Sequence, residues 1–356
     1  MSSGIHDDRL PMTQLALLVR DLHKPRPVIY WVDLVSCLLL VQVGLYLSAP
    51  FPRAFITNPP LSGVGFVLAV LALYRASYFN HELAHHARRL RGFELAWNFG
   101  IGIPLLIPSF LYSDHLNHHS DQAFGTGSDV EYLSPEMRSL RGAAALVGLA
   151  FVLPIVHTVR FAVIAPLAWI CPAVRRWVDI RASGIGLFGL ARRAPPSSAE
   201  RPHWRRQEVA CTCYLMTVFG ALLVGILPFE LVIQFYAVAA SVLILHGVRI
   251  MAGHRYESAG NVQSRLDQVR DSFNFTRHRP VTWLLVPLGF HLHALHHLFP
   301  GIPYHNLPEA HRRIAGALPI NSIYHAVESK SYLMEVARFI SRGRDADRAG
   351  LAGRTG

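Results

Sequence analysis

Nine of the twenty histidines in this 356-residue chain lie in three short runs, and these are the residues most able to do chemistry. Imidazoles bind transition metals, and residues three or four positions apart on a helix share one face. Each run therefore directs two or three imidazoles to the same side, and three such runs predict a metal site. The runs are His81-Glu-Leu-Ala-His85-His86, His115-Leu-Asn-His118-His119 and His293-Ala-Leu-His296-His297.

The first run also matches the HExxH pattern of zinc peptidases, in which two histidines bind zinc and the glutamate, here Glu82, acts as a general base. Zinc hydrolysis needs only three protein ligands and an open position. With the isolated His254, this chain offers nine or ten histidines, and that surplus fits two metal ions. Imidazole suits iron, copper, nickel and zinc alike, so the ligand type does not choose the metal.

The rest of the sequence indicates an integral membrane protein. Apolar residues make up 51% of the chain, charged residues make up 16%, and long apolar stretches recur. The net charge of +11 comes almost wholly from arginines that flank these stretches. This placement suits anionic lipid headgroups better than nucleic acid. No apolar segment precedes residue 28, so we expect no cleavable signal peptide. No disulfide framework or thiolate metal site is expected, because no CxxC pair occurs among Cys37, Cys171, Cys211 and Cys213.

Four stretches are long enough to cross a membrane, since about 20 helical residues span the hydrocarbon core. Short links join them into two hairpins. The segment from Arg175 to Arg206 holds eight arginines, so the positive-inside rule places this segment and both termini in the cytoplasm. All three histidine runs and His254 then emerge on that face. The predicted spans are residues 28–49, 61–79, 209–227 and 231–248.

Two further apolar stretches, residues 93–112 and 143–170, carry glycines, prolines or polar interruptions such as His157 and Arg160. If residues 93–112 crossed the bilayer, the second run would lie across the membrane from the first, and the two could not share a metal. We therefore expect both stretches to be re-entrant or interfacial.

The expected fold is all-α: about four transmembrane helices in two hairpins, with re-entrant or interfacial helices and a cytosolic, histidine-rich cap for two metals. Residues 1–27 form a cytosolic segment in this interpretation. Residues 28–340 form one domain, and residues 341–356 form a disordered tail.

On these residues, the chain resembles the membrane fatty acid desaturase superfamily of bacterial type, over roughly residues 28–325. Members carry an HxxxH(H) box after the first hairpin, an HxxHH box soon after it, and an HxxHH box after the second hairpin. The three runs match these boxes in type, order and topology. Residues 125–132, 254–257 and 297–312 also look like segments of bacterial members, apart from Val130, where proline is expected.

The resemblance implies a non-haem di-iron centre with two Fe2+ ions, O2 as co-substrate and a long-chain acyl lipid as substrate. It also implies the ligands, because related enzymes use two, three, one and three histidines from these positions. His86 is a possible further ligand, but on a helix it points about 100° away from His85. No catalytic residue beyond the ligands and no organic cofactor site are expected. The implied ligands are His81, His85, His115, His118, His119, His254, His293, His296 and His297.

The remaining histidines and nearby carboxylates are candidates for supporting roles. We expect the histidines to be structural, and the carboxylates either to accept hydrogen bonds from ligand imidazoles or to serve only as caps and turns. The histidines are His246, His291, His305 and His311, and the carboxylates are Asp114, Asp121, Asp129, Asp267 and Glu309.

The sequence thus predicts a fatty acyl desaturase of a bacterial inner membrane. A hydroxylase and an oxidative decarboxylase that forms a terminal alkene use the same box pattern and stay open. From other classes, an HExxH membrane zinc peptidase and a non-enzymatic metal-binding protein also stay open.

Desaturation consumes two electrons beyond those taken from the substrate. The chain contains no haem-binding HPGG segment and no iron–sulfur or flavin fingerprint. We therefore expect an external donor of ferredoxin or cytochrome type, with its reductase. The arginine-rich cytosolic surface could dock this donor or only satisfy the positive-inside rule.

Overall fold

The computed structural model describes residues 10–49, 59–184, 193–277 and 279–352. Within these ranges the chain is almost wholly helical, and the sheet structure is one short parallel pair of strands, β1 (Asn274–Phe275) and β2 (Glu328–Ser329). The expected all-α class is confirmed. The α-helices are α1 (Met12–Leu18), α2 (Pro27–Leu47), α3 (Pro59–Ser77), α4 (Phe79–His86), α5 (Phe93–Trp97), α6 (His115–His118), α7 (Leu140–Val159), α8 (Ala165–Ile170), α9 (Pro172–Arg181), α10 (Arg201–Leu223), α11 (Phe229–Ile250), α12 (Arg265–Asp271), α13 (Arg279–Leu285), α14 (His293–Leu298), α15 (Leu307–Ala317), α16 (Ile323–Ala326) and α17 (Tyr332–Ala352).

Four helical segments of the described chain are long and apolar enough to cross a membrane, so the protein is integral to the membrane. Three of them coincide with the predicted spans at residues 28–49, 61–79 and 231–248. The first two form a closely packed hairpin, in which a Cβ atom on Gly44 would lie 2.5 Å from the backbone nitrogen of Ala69. The four segments are Pro27–Leu47, Pro59–Arg89, Leu140–Ile170 and Phe229–Ile250.

The predicted span at residues 209–227 differs from the structure. Its helix, α10, begins at Arg201 and ends at Leu223, so the apolar part covers only residues 209–223. That apolar part is roughly 22 Å long, whereas the whole 23-residue helix is roughly 35 Å long and can still cross the hydrocarbon core with its polar first turns at the surface. Helix α10 also does not pair closely with α11, which packs on α7 and α3 instead. The second predicted hairpin is therefore splayed open.

Residues 143–170, which are expected to be re-entrant or interfacial, lie in a helical segment that is long and apolar enough to cross a membrane. Leu140–Ile170 is one continuous helical segment with a π-helical stretch at Arg160–Ile164. Arg160 does not interrupt the helix, because its buried guanidinium donates to Glu208 of α10 at 2.6 Å and to the carbonyl of Ala182 at 2.9 Å. Phe161, in the π-helical stretch that follows α7, packs in one cluster with Phe110 and Trp204.

Residues 93–112 do form the irregular segment that was expected. A π-helical stretch at Asn98–Gly102 follows α5, and the chain then turns into a 3-10 helix at Ser109–Tyr112. Side chains satisfy the freed backbone groups: Asn98 accepts from the Ser109 N–H at 2.8 Å, and Gln207 accepts from the Phe110 N–H at 3.1 Å. Broken backbone at membrane depth requires such cover.

The tail expected to be disordered from residue 341 onward is helical as far as residue 352, as the end of α17. Phe339 is buried against Tyr256, and the backbone at Gly343 lies close to Ser139 and Leu140. These contacts with distant parts of the chain hold the helix in place. Residues 353–356 lie outside the described residues.

Candidate metal centre

The nine histidines predicted as ligands converge at one place, where they form two groups. In each group the ligand atoms lie within 4.8 Å of one another. Eight of the nine side chains are buried, and His85 is half-buried. The five-histidine group contains His81, His85, His115, His119 and His296, and the four-histidine group contains His118, His254, His293 and His297.

Helical spacing explains how each HxxHH box serves both groups. The first and last histidines of a box are four positions apart and share a face. The middle histidine, three positions after the first, points to the adjacent side. In the second box, His115 and His119 enter the five-histidine group and His118 enters the other. In the third box the assignment is reversed, so that His296 alone joins the five-histidine group. The two groups are thereby built from the same short helices.

The ring nitrogens meet at distances that fit a cation between them. The Nε2 atom of His296 lies 2.9 Å from that of His81 and 3.0 Å from that of His119. The Nε2 atom of His254 lies 3.2 Å from that of His118 and 3.1 Å from that of His293.

Hydrogen bonds to nearby carboxylates determine which ring nitrogen of His115 and of His118 carries the proton. His115 donates from Nδ1 to Glu131 at 2.7 Å, and His118 donates from Nδ1 to Asp129 at 2.8 Å. A carboxylate only accepts, so Nε2 of both rings must carry a lone pair that points into its group. Lone pairs directed at one another are stabilised by a bound metal ion, so the donor set fits two metals.

Asp129 is itself fixed by the backbone. It accepts from the N–H groups of Gly125 and Glu131, both at 3.0 Å. Burial lowers the pKa of His118, but the Asp129 carboxylate outweighs this effect and raises the pKa overall. Asp129 therefore orients His118 and makes its imidazole more basic.

The isolated His254 has partners of the same kind. Its Nδ1 atom lies 3.1 Å from the Ser272 hydroxyl and 3.4 Å from the Asp271 carboxylate. His297 donates from Nδ1 to Gln268 at 3.3 Å, and Gln268 in turn donates to Asp121 at 3.0 Å. Both rings are thus held with Nε2 directed inward.

Burial also sets the charge of the rings. Outside the candidate membrane spans, burial lowers the pKa of four ligand histidines well below the usual value, and neighbouring imidazoles lower it further. These rings are neutral at physiological pH, which is the form that binds a metal. The four are His119, His293, His296 and His297.

His86 lies outside both groups, although its Nε2 atom is buried. Glu82, the glutamate of the HExxH pattern, accepts hydrogen bonds from the Tyr30 hydroxyl and, at 3.3 Å, from the Tyr304 N–H. Its carboxylate lies 3.7 Å from Nδ1 of His81, beyond hydrogen-bonding distance.

The other candidate side chains lie in local structural contacts. His246 pairs with the Tyr78 hydroxyl at 2.8 Å, and Asp114 lies 3.3 Å from Arg193. Asp267 caps α12. His305 contacts the backbone of Arg26, and His311 contacts Tyr324. The ring of His291 lies tilted against that of Trp283, and Glu309 pairs with Arg312 and Arg313.

Sequence reasoning did not single out Glu131 or Asp271 as partners of ligand histidines. Glu131 stands two positions after Asp129, and that alternation of acids was the available signal. Asp271 is the last residue of the seven-residue helix α12 and is not part of any histidine run. Only the tertiary structure brings it to His254.

An apolar cavity of about 290 Å³ opens beside the five-histidine group. It lies between α7, α10 and α11. It thus occupies the space between α10 and α11, which do not pack closely against each other. One end is lined by Asn80, His81 and Tyr112, and the other end by Leu222 and Val232. A long apolar chain fits such a space, with one segment of it held next to the histidines.

Comparison with known proteins agrees with this arrangement. The sequence matches the family "Fatty acid desaturase" over residues 58–327, a range that includes all nine histidines. It is also 31% identical over 320 residues to a protein of Caulobacter vibrioides named ceramide hydroxylase, with 89% of each chain covered. The resemblance noted in the sequence is thus confirmed, and the chain belongs to the fatty acid desaturase family of membrane enzymes.

Proposed function

We propose that this protein uses two iron ions and O2 to hydroxylate a long-chain lipid of the ceramide type. The observation that carries the proposal is the pair of histidine groups at the end of an apolar cavity. The nine histidines of these groups hold the two ions. Glu131, Asp129, Asp271 and Gln268 keep their imidazoles in the ligating tautomer.

The chemistry that bound iron supplies is activation of O2 for attack on an unactivated C–H bond. Hydroxylation puts one oxygen atom of O2 into that bond, and the other leaves as water. This reaction consumes two electrons and two protons that neither the substrate nor O2 provides. The protein's own contribution is to position one carbon of the chain near His81 and to exclude bulk water with the apolar wall.

Hydroxylation is preferred because of the relative's name and the extent of the match. The second candidate is desaturation of an acyl chain, which the family description favours. The test is mass spectrometry of lipids after expression in a host with a compatible electron donor. A product 16 mass units heavier is expected for hydroxylation, and one lighter by two hydrogens would support the desaturase instead.

The electrons come from a separate carrier of ferredoxin or cytochrome type. Neither of the described groups that could hold a metal ion contains a cysteine, so we assign electron delivery to an external carrier. Exposed Arg88, Arg89 and Arg91 follow directly on the first histidine run and offer a basic surface near the half-buried His85. An acidic carrier fits this surface by charge.

Glu82→Gln is expected to retain most of the oxidising activity, because glutamine can still accept from the Tyr30 hydroxyl. In a zinc peptidase, loss of the general base costs about 100-fold or more. Product formation and protein level in the membrane are the measurements. Complete loss of activity with full metal occupancy would contradict the oxidase assignment.

Asp129→Asn is expected to lower iron affinity about 10- to 100-fold, since an amide cannot replace the carboxylate that orients His118. The matched control is Asp267→Asn, which alters a carboxylate that pairs with Ser264 and Arg270 and has no hydrogen bond to a ligand histidine among the described contacts. Iron titration of both variants checks the prediction. Equal iron affinity of D129N and the wild-type protein would rule out this role for Asp129.

The histidine groups face the cytoplasm in our proposal. Arg193, in the arginine-rich segment, contacts Asp114 next to the second box, and this contact supports one side of the membrane for both. Cysteines introduced at exposed Asn117, Ser197 and Asn261 are expected to react with an impermeant thiol reagent only from the cytosol. A cysteine at Glu230 is expected to react only from outside.

The single cysteines are introduced into a variant that lacks the four native cysteines, Cys37, Cys171, Cys211 and Cys213. The enzymatic activity of this variant is the control for correct folding. External labelling of Asn117→Cys in active protein would show that residues 93–112 cross the bilayer. External labelling of Ser197→Cys would show that Leu140–Ile170 does so. Either result overturns the shared cytoplasmic face.

A further inference from the structure

The side chain of Asn80 is buried at the inner end of the cavity with nothing to bind. It is 5% exposed, and neither its Nδ2 donor nor its Oδ1 acceptor has a hydrogen-bond partner. Asn80 directly precedes His81 and lines the cavity beside it. A buried amide without partners is destabilising, so its presence at this position calls for a ligand.

Neighbouring polar groups of the cavity are already engaged. The Tyr78 hydroxyl pairs with His246 at 2.8 Å, the Tyr112 hydroxyl donates to Glu131 at 2.9 Å, and the Ser77 hydroxyl donates to the carbonyl of Tyr74 at 2.8 Å. Asn80 differs from these three, because both its donor and its acceptor are available to a bound molecule.

The shape of the cavity places the polar part of a lipid at this end. From Asn80 and His246 the wall continues along α11 to Val232, a distance of roughly 21 Å at 1.5 Å per residue. Leu215, Phe219 and Leu222 face it from α10. An alkyl tail fits against this wall, and any hydrogen-bonding group then lies where the apolar lining stops.

We propose that Asn80 binds a hydroxyl or amide group of the lipid substrate. The carbon brought to the histidine groups is then one within a few bonds of that polar group, and not a methylene in the middle of the chain. The inference rests on the proposed function and deepens it, because it assigns a positioning residue and a region of attack. Both possible partners share one chemistry, a neutral group that exchanges hydrogen bonds with an amide.

The test uses Asn80→Leu, which keeps the size of the side chain and removes its polarity. Binding of three lipids to iron-loaded, anaerobic protein in nanodiscs is measured by the shift in unfolding temperature. The lipids are a C16 ceramide, the analogue that lacks the hydroxyl nearest the amide, and the analogue with an ester in place of the amide. Val218→Ala, which alters the apolar wall, is the matched control.

The wild-type protein is expected to bind the ceramide about tenfold or more tightly than one of the two analogues, and that analogue identifies the group bound. N80L is expected to bind all three lipids alike, with no loss of stability in their absence. V218A is expected to weaken all three equally. If N80L discriminates among the lipids as the wild type does, or if the wild type binds all three equally, Asn80 holds no more than water and the inference is wrong.

Failure of the inference and failure of the proposed function are distinguishable. If the wild type hydroxylates the ceramide but N80L keeps the wild-type discrimination, only the inference fails. If no lipid is oxidised but N80L loses the discrimination, the proposed function fails and the binding role of Asn80 stands. A hydroxyl placed in the middle of the chain of the wild-type product would also overturn the inference.

Discussion

Replacing His296 with alanine is expected to abolish turnover and to lower the iron content from two ions per chain to about one. The Nε2 atom of His296 lies between those of His81 and His119, at 2.9 and 3.0 Å, so it is central to the five-histidine group. The four-histidine group keeps all its members. Elemental analysis of anaerobically reconstituted protein, together with product formation, measures both effects.

Two further variants make this result specific. His86→Ala serves as the control, because His86 lies outside both groups, and it is expected to keep both ions and most of the activity. His254→Ala is expected to lose the ion of the other group. The ligand assignment would be overturned if His86→Ala were as damaging as His85→Ala while His254→Ala retained full activity.

The types and spacing of the histidines were sufficient to predict that they gather in one place, and the structure brings them into two groups that could each hold a metal ion. What the spacing could not reveal is which histidine joins which group. His118 and His296 occupy equivalent positions in their boxes, yet they enter different groups. That assignment depends on how α6 and α14 are placed relative to each other, which is a property of the tertiary structure.

The same limit explains the errors in the fold. A charged residue in an apolar stretch is costly when it is alone, so the sequence predicts an interruption at Arg160. Its partner, Glu208, lies 48 positions away in the sequence. The sequence predicts disorder at the end of α17 for a similar reason, since the residues that hold this helix, near Tyr256 and Ser139, are distant in sequence. Local composition carries no record of either contact.

Carboxylates close in sequence to a histidine box were easier to anticipate than distant ones. Asp129 follows the second box by ten residues and contacts His118. Asp267 and Glu309 were equally plausible by type, but each is used locally, in a helix cap and in ion pairs with nearby arginines. Asp271 reaches His254 only through the antiparallel bridge between His254 and Ser272.

Removal of metal is expected to abolish activity, and anaerobic addition of Fe2+ is expected to restore it with two ions bound per chain. Nine imidazoles exceed what one ion coordinates, and they are already divided into groups of five and four. Zn2+ also binds imidazole, so it is expected to occupy the same sites. It has no redox chemistry and is expected to give no oxidised lipid.

Iron and zinc reconstitution therefore separate the two classes of enzyme that the sequence left open. An HExxH peptidase would be active with a single zinc ion and inactive with iron alone. Its general base would also have to face the metal, whereas Glu82 accepts from Tyr30 and from the backbone of Tyr304. A single zinc ion per chain, with no iron taken up on reconstitution, would remove the di-iron centre and leave the second histidine group without a role. Two iron ions with restored lipid oxidation would account for both histidine groups at once. Each group would supply the ligands of one ion, and the cavity beside His81 would hold the substrate.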